Sequence, residues 1–321
     1  MSNQRLASRT QRRGGVLLLA AIAIAGSTSP SCAFEGMLTH YLRGSADFYA
    51  GFVPTEPGVH VQTKYAFYAG EADEHSIPEN LDIGVDLDLN VWINAAAVIT
   101  PWEILGGTYG FAGTLSYAWI VTDADIRRYS DGREIANQHG YVQGFTDPTV
   151  TPLILGWHDG NWHWNTTLSV FVPGGRYQRG EPSTGKKFWS IVPSAAVTYI
   201  DPASGWHGSL AMVYSFPFEN EEVKYKSGQV IEFDYAVGKQ VTRSLSLGLA
   251  GYAVQQTTPD KGIAAAYGNF QARVFSVGPI ARLSFDLFGK EFTAKAKWAH
   301  EFGGKNTFVG DQIDVTLATA F

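Results

Sequence analysis

The sequence predicts an all-β fold: a transmembrane antiparallel up-and-down β-barrel of about 12 strands, with a short N-terminal plug segment. Three observations carry this expectation. Residues 81–94 alternate strictly, with aliphatic side chains at Leu81, Ile83, Val85, Leu87, Leu89, Val91 and Ile93; between them only Trp92 is apolar. Short and long connections alternate along the chain, as short turns and long loops do around outer-membrane barrels. Aromatic residues make up 13% of the chain and charged residues only 17%. That balance suits a wall meeting both lipid and water, because amphipathic rings collect at membrane interfaces.

The chain opens with a leader. Arg5, Arg9, Arg12 and Arg13 precede an apolar run over 16–25. That run is too short to cross a bilayer as a helix, which takes roughly 20 residues. Small residues at Ser31 and Ala33 place a signal-peptidase cut between Ala33 and Phe34, so residues 1–33 read as a signal peptide. Cys32, the single cysteine, then leaves with the leader. Twin-arginine export through Arg12 and Arg13, and lipidation at Cys32, are weaker readings of the same segment.

Residues 34–58 do not alternate, and Pro54 and Pro57 argue against a central strand. Tyr41, Phe48, Tyr49 and Phe52 are rings that a free tail would leave in water, which favours a plug folded into the lumen over a disordered periplasmic tail.

Residues 59–321 form the expected barrel, the 81–94 strand alone running roughly 45 Å at about 3.3 Å per residue. Strands are expected near 59–69, 81–99, 108–122, 149–157, 162–172, 188–200, 206–216, 229–238, 244–255, 270–287, 291–302 and 312–321. Tight turns fall at 158–161, 201–205, 238–243 and 288–291, the first built on the hairpin pair Asp159-Gly160. Longer polar stretches occupy 123–148, 173–188, 217–228, 256–269 and 303–311. The final strand ends on Phe321, a terminal aromatic resembling the signal read by the barrel assembly machinery.

Side-chain chemistry points to passage rather than catalysis. If the aliphatic face of 81–94 meets lipid, then Asp82, Asp86 and Asp88 face a wet lumen, together with Arg282, Asp286, Lys295, Lys297 and Glu301. These charges either line a hydrated path or lock the interior by opposed pairing; the sequence leaves both open. Trp157, Trp162 and Trp164 read as an aromatic belt at one rim, with His158 and His163 among them as interfacial side chains and not as a metal pair. Gly180 to Lys186 resembles a phosphate-binding loop, but Lys187 stands where Ser or Thr is required and no helix pattern follows. Asn165 heads a formal glycosylation sequon inside a strand. The serine-hydrolase, zinc-protease and dinucleotide motifs do not occur. No catalytic residue, cofactor or metal is expected, and a net charge of −6 without a basic block argues against nucleic acid.

A family resemblance covers nearly the whole mature chain. TPLILGWHDGNWHWNTTLSVFVPGGRY (151–177), TYIDPASGWHGSLAMVYSF (198–216), IEFDYAVGKQ (231–240), GLAGYAVQQTTPD (248–260) and HEFGGKN (300–306) are similar to the family named for the meta-pathway of phenol degradation, as is the opening EGMLTHYLRGSADFYAGFVP. The resemblance implies an outer-membrane barrel of a Gram-negative bacterium, surrounded by outer-membrane lipid, that takes up small hydrophobic or aromatic compounds. It supplies no catalytic residue. A sealed structural barrel, or a lipid hydrolase with Ser and His on the outer wall, are the alternatives.

Overall fold

Period-2 alternation folds here into a closed barrel. The computed structural model describes residues 39–76, 81–128, 130–179, 181–262 and 271–321. Strands β1 (Gly58–Ser76), β2 (Leu81–Ile104), β3 (Gly107–Arg128), β4 (Glu134–Phe145) and β5 (Thr149–Asp159) lead into β6 (Trp162–Phe171), β7 (Ser190–Ile200) and β8 (Trp206–Pro217). After a two-residue β9 (Tyr225–Lys226) come β10 (Val230–Gln240) and β11 (Leu245–Gln256). A second small strand, β12 (Lys261–Gly262), precedes β13 (Arg273–Leu287), β14 (Lys290–Lys305) and β15 (Val309–Ala320).

Every pairing is antiparallel, and β15 closes onto β1 through His60↔Ala320 to Glu71↔Val309. β5 pairs with residues 108–114 of β3 and β4 with residues 117–127, so β4 and β5 are two halves of one stave, interrupted at 146–148. Counting that stave once, the wall has twelve strands; β9 and β12 form a separate two-stranded piece among the long loops. β4 falls inside a stretch the sequence reads as loop. EIANQHGYVQGF is polar on both faces because it stands above the apolar belt, so alternation does not mark it.

The turns at one rim are tight. Phe288 and Gly289 both take positive φ, as do Leu105 and Gly106. That is the mirror-image turn whose twist matches paired strands.

Over most of the wall the large apolar side chains point outward. Leu210 and Met212 of β8, Leu247 and Leu249 of β11, and Val315 and Leu317 of β15 are exposed, while Ala211, Val213, Ala250 and Thr316 between them are buried. Such an outer surface is one that lipid covers and water does not. Trp92 and Trp119 continue it around β2 and β3, and Tyr65 donates across to Asn90 at 2.6 Å.

The upper half of β2 reverses this polarity. Leu87, Leu89 and Val91 are buried and pack inward with Tyr68, Ala118 and Phe308. Asp86 and Asp88 are exposed on the outer side, where Asp86 stands between Glu71 and Asp123 in the register. The expectation that Asp86 and Asp88 line the lumen is therefore corrected. The pleat fixes which residues share a face but not which face is inside. Here the strand rises past the aromatic level of Trp92, so its outer side meets water, and each buried aliphatic contributes about 1.5–3 kcal/mol by facing in. The side chain of Asp82 lies outside the described residues.

Candidate solute cavity and its N-terminal floor

The interior is divided in two. Residues 39–57 run through it, from Arg43 beside Thr307 to Phe52 beside His158 and His163 at the tight-turn rim, and they bound a cavity of about 780 Å³, within the range of roughly 300–1,000 Å³ found for small-molecule sites. One part of the wall is the aliphatic face of β2, from Val85 to Ile93; the wall continuing from it through β3 to β7 carries hydroxyls, with Thr114 and Ser116 of β3, Thr149 of β5, Thr167 and Ser169 of β6 and Ser194 of β7. Alternation brings these hydroxyls to the inner face, where they are interspersed with Ala118 and Ile120 of β3, Phe171 of β6 and Val192 of β7. The cavity can hold an apolar body against β2 while offering hydrogen bonds from the flanking strands.

The floor is held by charge. Arg43 donates to Glu301 at 3.0 Å and to Thr307 at 2.6 Å. Glu301 also accepts from Tyr68, Tyr252 and the Gly310 amide, so one carboxylate ties the segment to β1, β11 and β15. Burial acts to lower the Arg43 pKa, but Glu301 and the nearby Tyr252 and Tyr68 outweigh it and raise it. Asp47 pairs with Lys295. Burial acts to raise its carboxyl pKa, yet Lys295, Lys297 and Lys64 together hold it below the ordinary value. Lys297 bonds the Gly44 carbonyl and pairs with Asp314 at 3.0 Å. Two inward carboxyls of β10 take the remaining donors: Glu232 accepts from Gly44 N at 2.7 Å, and Asp234 from Ala46 N at 2.9 Å and Tyr41 Oη at 3.0 Å.

Rings fill what is left. Phe48 packs with Ala236, Ala250 and Ile280, and a Cβ at Gly238 would stand 2.5 Å from its ring, which is why β10 carries glycine there. Tyr49 stacks on His207 at 4.7 Å and lies under the Arg282 guanidinium at 5.1 Å. Phe52 sits against His158 and His163, whose rings turn inward rather than into a belt. Trp162 and Trp164 are exposed on the outer wall of that rim, and Trp157 donates to the Leu105 carbonyl at 3.1 Å. Asp286 is exposed beside the Phe288-Gly289 turn. Phe321 hydrogen-bonds Val59 through its backbone, with Lys290 over its ring. Ala33 and Phe34 lie outside the described residues.

One constellation escapes sequence reasoning. His40 Nδ1 contacts Ser190 Oγ at 2.7 Å and His40 Nε2 contacts Asp147 Oδ2 at 2.9 Å, bringing together three residues far apart in the chain. Asp147 also accepts the amides of Gly174, Gly175 and Lys186, at 2.9, 2.8 and 2.7 Å. Burial acts to raise its pKa, but the bonds from His40 and those amides hold it low; burial, helped by Lys186, depresses the His40 pKa. The order Ser–His–Asp resembles a hydrolytic triad, but Ser190 is 2% exposed and His40 lies between Phe171 and Phe188. A nucleophile needs room for a substrate carbonyl, so the trio acts as a clasp joining the floor, the stave break at 146–148 and the loop after β6. Among the described residues no cluster of His, Cys, Asp and Glu could hold a metal ion.

A closed twelve-stranded wall with an apolar outer belt and a wet rim defines a membrane β-barrel. Residues 69–317 match the family model described as "Putative MetA-pathway of phenol degradation", and the chain belongs to that family. Among solved structures it resembles the COG4313 outer membrane channel from Pseudomonas putida F1, with 13% identity, a TM-score of 0.62, and coverage of 88% of this chain and 100% of that one. The β domain of the Bordetella autotransporter BrkA is similar at 11% identity and a TM-score of 0.40, over 83% and 99% of the two chains. No curated protein matches.

Proposed function

We propose that this protein is an outer-membrane channel for passive uptake of small hydrophobic or aromatic compounds that the cell degrades. The observation that carries the reading is the inverted face of β2, with Leu87, Leu89 and Val91 lining a sizeable cavity. Porins keep a polar interior for water and ions; an aliphatic wall flanked by hydroxyls suits a ring bearing at most a polar substituent. The family description and the channel from Pseudomonas putida point the same way. Lys295, Lys297, Arg282 and Glu301 face inward in this reading as anchors of the floor. Residues 34–58 act as the plug, Ala33–Phe34 as the cleavage site, and Phe321 as the signal for the assembly machinery. Export places the barrel in the outer membrane, with its lipid around the belt.

The density of bonds beneath the cavity favours one alternative, a sealed barrel with a structural role. Uptake separates the two. A deletion strain and its complemented counterpart are given radiolabelled toluene-like and phenol-like compounds at low concentration. Faster initial uptake by the complemented strain is expected; equal uptake removes the transport function and leaves the sealed barrel.

A further inference from the structure

We propose that the cavity takes an apolar solute ending in a carboxylate, with the acid held by Lys64 and Gln62 and the apolar body lying along β2. This rests on the channel reading and names the class of solute.

The aliphatic wall ends in polar groups. In the register of β1 and β2, Lys64 stands opposite Ile93 and Gln62 opposite Ala95, and all four line the cavity. Alternation keeps Gln62 and Lys64 on one face, two residues apart. A solute lying flat against Leu89, Val91 and Ile93 therefore brings one end to an ammonium and an amide.

Lys64 is short of close partners. An ammonium carries three donors; this one reaches the Ser45 carbonyl at 3.5 Å and Asp314 at 4.0 Å, although Lys64 is only 3% exposed. Asp314 is already nearer to Lys297, at 3.0 Å, and Asp47 pairs with Lys295. Lys64, Lys295 and Lys297 thus share two carboxylates, and the longest pairing falls to Lys64. Glu232 and Asp234 of β10 answer the Gly44 and Ala46 amides and the Tyr41 hydroxyl instead. Gln62 has no side-chain hydrogen bond among the described residues. A buried cation with partners this far off carries a desolvation cost that they do not offset. A carboxylate arriving from the cavity gives Lys64 a charge-assisted hydrogen bond through one oxygen and accepts from the Gln62 amide through the other. The other cations of the segment cannot take this role. Glu301 and Thr307 hold the Arg43 guanidinium, and both ring nitrogens of His40 are engaged by Ser190 and Asp147. The site therefore selects by charge at one end and by apolar contact along the body.

The test compares an acid with its uncharged twin. The purified, folded barrel in detergent is dialysed to equilibrium against radiolabelled cinnamate, and separately against cinnamamide, which has the same body and no charge. Wild type is expected to hold the acid more tightly. Lys64→Met should lower the ratio of acid to amide affinity roughly 10- to 150-fold, the strength of a hydrogen bond to a charged group. An unchanged ratio overturns the site, as does a wild type that holds the amide as tightly as the acid. Should Lys64→Met not fold, Gln62→Glu decides: the introduced carboxylate competes for Lys64, so the ratio should fall roughly tenfold, and an unchanged ratio overturns the site. The channel reading fails by a different result: complemented cells that take up toluene no faster than the deletion strain overturn passage and leave the dialysis measurement standing.

Discussion

Glu301→Ala should unseat the N-terminal segment while sparing the wall. The carboxylate is buried and accepts from Arg43, Tyr68, Tyr252 and the Gly310 amide. Removing it leaves the Arg43 guanidinium buried without its counter-charge, a loss of about 3–5 kcal/mol for a broken buried pair. If the loss falls on the segment's docking, the undocked population rises roughly 150- to 5,000-fold, since about 1.4 kcal/mol is a factor of ten. Single-channel recording in a planar bilayer reads this as long-lived openings of larger conductance, and limited proteolysis reads it as cleavage within 39–57. The ladder between β14 and β15 does not use the Glu301 side chain, so heat-modifiable migration of the barrel should survive. Arg43→Met combined with Glu301→Leu removes both charges and should restore docking to within about 1–2 kcal/mol, because an apolar pair of similar volume often replaces a buried ion pair without loss. Conductance and proteolysis unchanged in Glu301→Ala would refute the claim that this carboxylate holds the floor.

Three further outcomes follow from the same geometry. Leu89→Asn puts an unpaired amide on the aliphatic wall, costing about 1–3 kcal/mol where an apolar ring would rest; uptake of toluene should fall roughly 5- to 150-fold with unchanged amounts of folded barrel on a heat-modifiability gel. The neutral form of His40 is favoured in the folded protein, since its pKa is lowered from 6.5 chiefly by burial and by Lys186, against the bond to Asp147. The unfolded chain therefore binds the extra proton first: the clasp is fully stable above pH 6.5 and weakens as pH falls below it, and the difference in thermal midpoint between pH 7.5 and pH 5 should shrink in His40→Gln. Asp147→Asn exchanges an anionic acceptor of three backbone amides for a neutral one, each such bond to a charged group being worth about 1.5–3 kcal/mol; trypsin should cut at Arg176 or Lys186 faster than in wild type, and an equal rate would contradict the clasp.

The barrel was legible because lipid and water impose a two-residue period on any strand that separates them. Leu210, Leu247 and Val315 show it plainly, and the twelve staves fall where the period runs. What alternation cannot carry is polarity, and Asp86 and Asp88 are the instance: period and length are readable, but which face is inside depends on whether lipid or water meets the outer side, and that changes along β2. The site was less legible still. Tyr41, Phe48, Tyr49 and Phe52 drew attention as rings without a strand, but their partners Asp234, Ile280, His207 and His158 lie on distant staves. The His40–Ser190–Asp147 clasp joins residues separated by 150 and 107 positions, and no local spacing encodes such a contact. One signal is available: Thr146-Asp147-Pro148 puts an acid next to a proline just ahead of the strand that begins at Thr149, where pairing must break.

Unequal stave heights tie these features together. β1, β2 and β3 have 19, 24 and 22 residues, while β6, β7 and β8 have 10, 11 and 12. A membrane crossing takes about 9–11 residues, so β6 to β8 end where the lipid ends, whereas the first three strands continue roughly 25–45 Å farther along their length at about 3.3 Å per residue. That rise has two consequences. It puts the upper outer face of β2 in water, so the greasy side chains of that stretch turn inward and make an aliphatic wall. It also leaves β4 standing above β6 with an edge that pairs with no stave among the described residues, where Thr184 of the loop after β6 donates to the Phe145 carbonyl. The apolar cavity and the covered edge beside it thus share one cause. Lengthening β6 and β7 by four alternating residues each should pair the edge, narrow the cavity and slow uptake of apolar solute even though the wall becomes more regular.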